Sequence, residues 1–336
     1  MTTIHDLPPE ILYRILELAA GFESGYWRKL LLQPTSAVAR AWRHPSQELL
    51  LSDVTLSAIY PHRTIGFAAR LQDYTLVEMR RLTLDRFFAE DVELATKGIG
   101  RLGSLRIEGD HAPFPALALS PRILGGLRSL ELWQEIAGVF QPPPNQPITL
   151  KHLSLTAEYS LPESALEALL ASAPNLTHLD LHCGGATYNH SWLQRHNPLT
   201  ILGPRLRHLG LHNPPPPPQV DSQAGLSFSL SAALPTCTSL VSLEVSSVTE
   251  EQLFDIFRLL PSQLELLETT MVRMTEEGHG FLVKATALPA LSSLKMWRIL
   301  GFNEIVDGKE PWVVLSRARG IDVRDERRFF TDRCYD

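Results

Sequence analysis

One spacing of apolar residues returns along almost the whole chain: apolar-x-x-apolar-x-apolar. It is carried by Leu51/Val54/Leu56, Met79/Leu82/Leu84, Leu102/Leu105/Ile107, Leu127/Leu130/Leu132 and Leu150/Leu153/Leu155. It continues as Leu176/Leu179/Leu181, Leu206/Leu209/Leu211, Leu240/Leu243/Val245, Leu264/Leu267/Thr269, Leu291/Leu294/Met296 and Ala318/Ile321/Val323. Successive copies begin 23 to 34 residues apart. Side chains alternate along a strand, so the fourth and sixth positions share one face. A single short strand cannot bury that face, whereas stacked copies form a parallel sheet over a continuous apolar interior. Between the strands the period changes to that of a helix. Pro162 to Ala173 places Leu166, Leu169 and Leu170 at helical spacing behind a Ser160-x-x-Glu163 capping box. Thr249-x-x-Gln252 opens a second helix with Leu253, Ile256, Phe257 and Leu260 on one face, and Pro311 to Arg319 forms a third, stopped by Gly320. Pro174, Pro235, Pro261 and Pro289 are each expected to end a helix before the next strand.

This cycle of strand, turn, helix and proline resembles the leucine-rich repeat superfamily in its long-repeat form, over about Leu51 to Asp336. The resemblance implies an α/β fold: a right-handed solenoid with about eleven parallel strands on a concave side and helices and loops on the convex side. Gly184 and Pro214 stand where that family carries Asn or Cys in two of the repeats. The proline runs Pro142 to Pro147 and Pro214 to Pro218 read as stiff loop linkers.

The first fifty residues follow another rule. Asp6 is placed to cap a helix that starts near Pro8, with Glu10 near its positive end. Ile11, Leu12, Ile15, Leu16 and Leu18 are expected to form one broad apolar stripe. Helical stretches follow at Trp27 to Leu32 and Ser36 to Arg43, with Val38 and Trp42 on one face. Three short helices in about 45 residues make too small a core to stand alone, so the stripe either caps the repeat array or binds another protein. The opening Leu7-Pro8-Pro9-Glu10-Ile11-Leu12-x-x-Ile15-Leu16 and the closing Val38-Ala39-Arg40-Ala41-Trp42-Arg43 resemble an F-box. That resemblance divides the chain into an F-box at 4–50 and the repeat solenoid at 51–336. It implies docking to the Skp-type adaptor and cullin of an SCF ubiquitin ligase. Leu7, Pro8, Ile11, Leu12, Ile15 and Leu16 would make the adaptor contact, with Val38 and Trp42 as further candidates. An F-box followed by leucine-rich repeats resembles the substrate-receptor subunits of such ligases, in which the box docks and the solenoid holds a target.

Composition narrows the field. The 336 residues include 57 leucines, 44% hydrophobic residues and 20% charged residues, with a formal net charge of -6. Such a chain is not disordered by default, and its charge excludes nucleic-acid binding by bulk basicity. No apolar run approaches a membrane span of ~20 residues, and the N-terminal residues lack the layout of a secretory leader. Cys183, Cys237 and Cys334 are scattered and odd in number, which fits a reducing compartment, cytoplasmic or nuclear.

Residues flanking the strand leucines are expected on the outer face. There His152, His178 and His208 fall in one column and His182 and His212 in another, with Asp180 between them and Trp133 beside them. This face reads either as a solvated polar sheet or as a target-recognition surface. Stacked histidines suit an acidic or phosphorylated segment, held more tightly at lower pH. A metal is not expected: His178 and His182 are ~13 Å apart along one strand, too far to share a tetrahedral ion, and a histidine pair with Asp180 lacks a fourth ligand. A hydrolase built on His178, Asp180 and His208 would need that metal. Gly98-x-Gly100-x-x-Gly103 has a dinucleotide-loop spacing but leads into a strand, and Cys183 beside His182 lacks a third group to orient a base. No cofactor and no enzymatic activity are expected. The chain reads as a non-catalytic adaptor, or alternatively as a free-standing repeat scaffold whose N-terminal helices only cap the array.

Overall fold

The computed structural model describes residues 7–20, 32–37, 40–57, 59–60, 65–66, 77–86, 92, 96, 99–109, 114–133, 136–141, 147–156, 163–182, 201–212, 234–261, 264–270, 272–273, 280–300, 302–303 and 311–325. The chain forms two compact units, Met1–Thr149 and Leu150–Asp336.

The first unit opens with helix α1 (Pro9–Ala20), followed by helical residues 32–37 and helix α2 (Arg40–Ser52). Leu16, Leu32 and Leu49 are buried together, with Tyr13, Trp42 and Leu50 packed around them. Pro45 lies within α2, and the helix runs to Ser52, where strand β1 (Asp53–Ser57) begins. Strands β2 (Val77–Asp85), β3 (Ile99–Glu108) and β5 (Ser129–Trp133) follow in parallel, in the order β1-β2-β3-β5. Two-residue strands β4 (Phe114–Pro115) and β6 (Ile136–Ala137) pair separately. Helix α3 (Pro121–Gly126) starts at Ser120, whose hydroxyl accepts a hydrogen bond from the Ile123 N–H. Gly100 and Gly103 lie inside strand β3, which removes the phosphate-loop reading of that spacing.

The second unit repeats one coil. Its parallel strands run β7 (His152–Thr156), β8 (His178–His182), β9 (His208–His212), β10 (Ser242–Ser246), β11 (Leu266–Thr270), β13 (Met296–Ile299) and β15 (Asp322–Asp325), in chain order. Two-residue strands β12 (Val272–Arg273) and β14 (Phe302–Asn303) form a separate pair. Helices α4 (Glu163–Ser172), α5 (Glu250–Leu259), α6 (Gly280–Ala285) and α7 (Pro311–Ala318) connect strands. The Thr249/Gln252 capping box of α5 makes both of its hydrogen bonds. Gly320 takes a φ of +81° after α7, a conformation that a residue with a Cβ enters only at a cost. Pro235 and Pro289 lie within the short 3-10 turns Leu234–Thr236 and Pro289–Leu291. The Ser160 capping box lies outside the described residues.

Eleven strands therefore follow the apolar spacing, four in the first unit and seven in the second. The fold is a mixed α/β, open, leucine-rich-repeat-like stack of parallel strands. Its core is the set predicted by the spacing. Leu82/Leu84, Leu105/Ile107, Leu130/Leu132, Leu153/Leu155, Leu179/Leu181, Leu209/Leu211 and Leu243/Val245 are all buried. In the second unit the coils are also stitched by backbone. The carbonyl of Lys151 accepts the N–H groups of Thr177 and His178, that of Thr177 accepts Arg207 and His208, and that of Arg207 accepts Val241 and Ser242.

One coil corrects the expected register. Leu267 lies opposite Trp297 and Thr269 opposite Ile299, so the tenth copy is Leu294/Trp297/Ile299 and not Leu291/Leu294/Met296. Trp297, placed on the outer face by the sequence spacing, is fully buried. Its indole N–H donates to Thr269 Oγ1 at 2.9 Å, which satisfies the polar residue at an inward position. Phe257 meets it edge-on at 6.2 Å between ring centroids and Trp312 lies at 4.7 Å. The last copy is displaced too, because Trp297 lies opposite Val323 and Ile299 opposite Asp325. Truncating so large a buried ring removes transfer energy and leaves a cavity. Trp297→Ala is expected to cost about 3–5 kcal/mol in urea unfolding; a loss below about 1 kcal/mol would place the ring outside the core.

Candidate functional site: an exposed helix face and a histidine-lined strand face

In the first unit, α1 carries two apolar faces instead of one stripe. Leu12 and Leu16, four residues apart, are buried. Ile11, Ile15 and Leu18 lie on the other side and are 48%, 36% and 54% exposed. Pro8, just before the helix, is exposed, and Leu7 is half-buried. Trp42 is half-buried against Leu16, Leu32 and Leu49, so it helps to hold the helices together. Val38 lies outside the described residues. Of the residues expected at an adaptor contact, Leu12 and Leu16 are thus committed to the interior, and Leu18 joins the outward set.

The same helix is tied to strand β2. Arg80 donates to the Tyr13 hydroxyl at 3.0 Å and to the Glu17 carboxylate, which also accepts from Arg14. Hydrogen bonds from Arg80 and then Arg14 hold the Glu17 carboxyl below the usual carboxylate range. Nothing in the helical spacing marks this tie, since Tyr13 and Glu17 pair with a residue 63 or more positions away.

In the second unit the expected histidine columns form. His152, His178 and His208 lie opposite one another on adjacent strands, as do His182 and His212. The His178 and His208 rings stack at 3.9 Å with 15° between planes, and His182 and His212 at 4.1 Å with 12°. Asp180 lies between the columns. Its Oδ2 is 2.6 Å from His152 Nε2. Its Oδ1 occupies the space above Gly210, where an added Cβ would lie only 2.3 Å away. Asp180 thus turns to His152, not to a shared point between His178 and His208. Among the described residues there is no group of three or more His, Cys, Asp or Glu arranged to hold a metal ion. Trp133, expected beside the histidines, belongs to the first unit, where the Arg106 guanidinium sits 4.4 Å from its ring centroid. Cys183 lies outside the described residues.

Burial and neighbouring groups bias the charge of this face. Burial, then the neighbouring His208 and His152, pushes His178 down from 6.5 to about 4. Burial also lowers His208, helped by Arg207, and lowers His212. A stacked pair cannot take two protons without repulsion in a half-dry site. His178 therefore stays neutral until the pH nears 4, and His208 and His212 resist protonation more than a free imidazole does. For Asp180, burial opposes ionisation, but the hydrogen bond from His152 outweighs it and keeps the carboxyl low.

A middle row of side chains was not singled out by the sequence reading. In register across the strands run Ser154, Asp180, Gly210, Glu244, Glu268, Arg298 and Arg324. Arg298 Nη1 donates to Glu268 at 2.7 Å. Burial, then Glu268 and Asp180, raises Glu244 from 4.5 to about 7. The signal was present in the sequence, since each of these residues sits between the two inward positions of its repeat. The two displaced repeats hid the end of the row.

No protein-family model matches the chain, and no curated protein matches it. A solved structure with a similar fold is the crystal structure of the Rad7 and Elc1 complex in yeast. It is 13% identical, covers 86% of this chain and 75% of that chain, and has a TM-score of 0.39. A likeness at that level carries no argument about function.

The lowered histidines set a pH dependence. The unfolded chain protonates them near 6.5, whereas folded His178 resists until about 4, so between these values the unfolded state binds more protons. The stability tied to these rings is complete above pH 6.5 and is lost as pH falls toward 4. NMR titration should show the His178 ring uncharged at pH 5.5, and His178→Gln should flatten the acid loss of stability. A ring that titrates near 6.5, with an unchanged stability profile in the variant, contradicts the stacked arrangement.

Proposed function

We propose that the chain is a non-catalytic substrate-recognition adaptor. Its N-terminal helix docks to the Skp-type adaptor of an SCF ubiquitin ligase, and through it to the cullin, while its repeats hold a target protein. Bridging raises the effective concentration of the target near a ubiquitin-transfer enzyme without this chain making or breaking a bond. The observation that carries the reading is the second apolar face of α1. A helix that served only to close the repeat stack would need Leu12 and Leu16 and no more. Pro8, Ile11, Ile15 and Leu18 are apolar, exposed and adjacent, and they begin at the Leu7-Pro8 opening that resembles an F-box. Burying such side chains at ~1.5–3 kcal/mol each supports a stable contact.

The alternative, a free-standing scaffold with capping helices, has its own support. Tyr13 and Glu17 bind Arg80 of β2, and α2 runs without a break into β1. Both sets of contacts are compatible with docking, because they use residues other than the exposed face.

A target is assigned to the outer face of the second unit, with the stacked histidines, His152, Asp180 and Glu244 as contact candidates. Trp133, in the first unit, remains a further candidate. The protein is placed in the cytoplasm or nucleus on its scattered cysteines.

Co-purification with a Skp-type adaptor tests the docking. Ile15→Asp should abolish the complex while leaving thermal stability nearly unchanged, because the residue is at the surface. Failure of the unmutated chain to co-purify favours the scaffold reading, and binding retained by a folded Ile15→Asp protein removes the exposed face of α1 as the contact.

A further inference from the structure

We propose that the first unit holds a second binding site, for a phosphate monoester or phosphate ion, in a cleft where three arginines converge beside α1 and α2. The cleft has a volume of about 260 Å³ and is lined by Arg80, Arg101 and Arg128, with Tyr13 and Glu48 on its helical side. Taking ~30 Å³ as the share of one water, it has room for a phosphoryl group with several waters.

The repeat builds this cleft. Arg81 lies opposite Ser104, and Ser104 opposite Ser129. One residue earlier on each strand, Arg80, Gly103 and Arg128 therefore fall at one level across three neighbouring strands, and the Arg128 N–H donates to the Gly103 carbonyl at 2.8 Å. Gly103 leaves a gap between the two arginines. A Cβ there would lie 3.0 Å from the Arg80 carbonyl oxygen, so the gap is a consequence of close strand approach and cannot be filled cheaply. Two residues upstream, Arg101 passes Gly126, where an added Cβ would lie 4.0 Å from Arg101 Cγ. The two glycines thus alternate with the arginines and clear the floor of the cleft.

The shape and donor set of the lining select the ligand. Three guanidinium groups line the cleft with one carboxylate, that of Glu48, and Arg80 is also bonded to Glu17. Arg80 is fixed in place by Glu17 and Tyr13, whereas Arg128 projects from an exposed position. Planar guanidinium groups suit a tetrahedral, doubly charged oxyanion through paired N–H donors. A planar carboxylate pairs with one guanidinium fork, whereas the three oxygens of a phosphoryl group can accept from more than one. This site is independent of the proposed adaptor contact, whose residues lie on the other face of α1.

Isothermal titration of the full chain tests it, with inorganic phosphate and with phenyl phosphate at constant ionic strength. One saturable site is expected. Arg128→Glu should weaken it at least roughly tenfold, as for the loss of a charge-assisted hydrogen bond, while Arg207→Glu, an exposed charge reversal in the second unit, should leave it unchanged. Circular dichroism checks that both variants fold. Equal binding of the two probes assigns the free ion, and tighter binding of phenyl phosphate assigns a phosphorylated side chain; either supports the site. Absence of saturable binding, or equal weakening by both reversals, overturns it. Adaptor co-purification by Arg128→Glu is expected to be unaffected, so failure of this proposal and failure of the docking proposal give different results.

Discussion

Each coil of this protein has the same deficit: two inward side chains on a strand too short to cover them within the coil. Only the next coil supplies the missing surface. The rest follows from that constraint. The strands must be parallel, their registers must agree, and a polar atom that falls inside is costly unless it finds a partner. Thr269 shows the requirement at its narrowest. A threonine at an inward position is tolerated because the neighbouring coil contributes an indole N–H at 2.9 Å. Where the array begins, the same deficit is met by helices, with Leu16, Leu32 and Leu49 forming a small core just before β1.

Stacking in register has a second effect. It aligns side chains on the outer face as strictly as it aligns the leucines within. Histidines that recur at one repeat position become stacked rings, and carboxylates that recur at the next become a row whose members raise or lower one another. Glu244 is raised by burial and by two acidic neighbours, whereas Asp180 is held low by His152. The arginines beside Gly103 and Gly126 are produced by the same alignment at the edge of the first unit. The side-chain columns on this face arise from periodic placement.

Much of this was legible in the sequence because it is periodic. The strand positions, the inward pairs of most repeats, the capping box at Thr249 and the stop at Gly320 all depend on local spacing. The errors arose where spacing is ambiguous. Leu291, Leu294 and Met296 satisfy the pattern as well as Leu294, Trp297 and Ile299 do, and only contact with Phe257, Trp312 and Thr269 selects the second set. The α1 stripe could not be divided by period alone, since Ile11 and Leu12 are equally apolar and only packing buries one of them. Arg80 with Tyr13 and Glu17, and Arg80 with Arg128 across Gly103, are long-range meetings that no window of sequence contains. The lowering of His178, His208 and His212 was not legible either, because burial and neighbouring groups, not residue type, cause it.

The central claim is that α1 uses one face to close the repeat stack and keeps the other for a partner subunit. Amide hydrogen exchange of the full chain, with and without a purified Skp-type adaptor, tests that division most directly. The account predicts that added adaptor slows exchange across Pro9–Ala20 while the strands of the second unit are unchanged. Exchange in that helix that is the same with and without a large molar excess of the adaptor would contradict it.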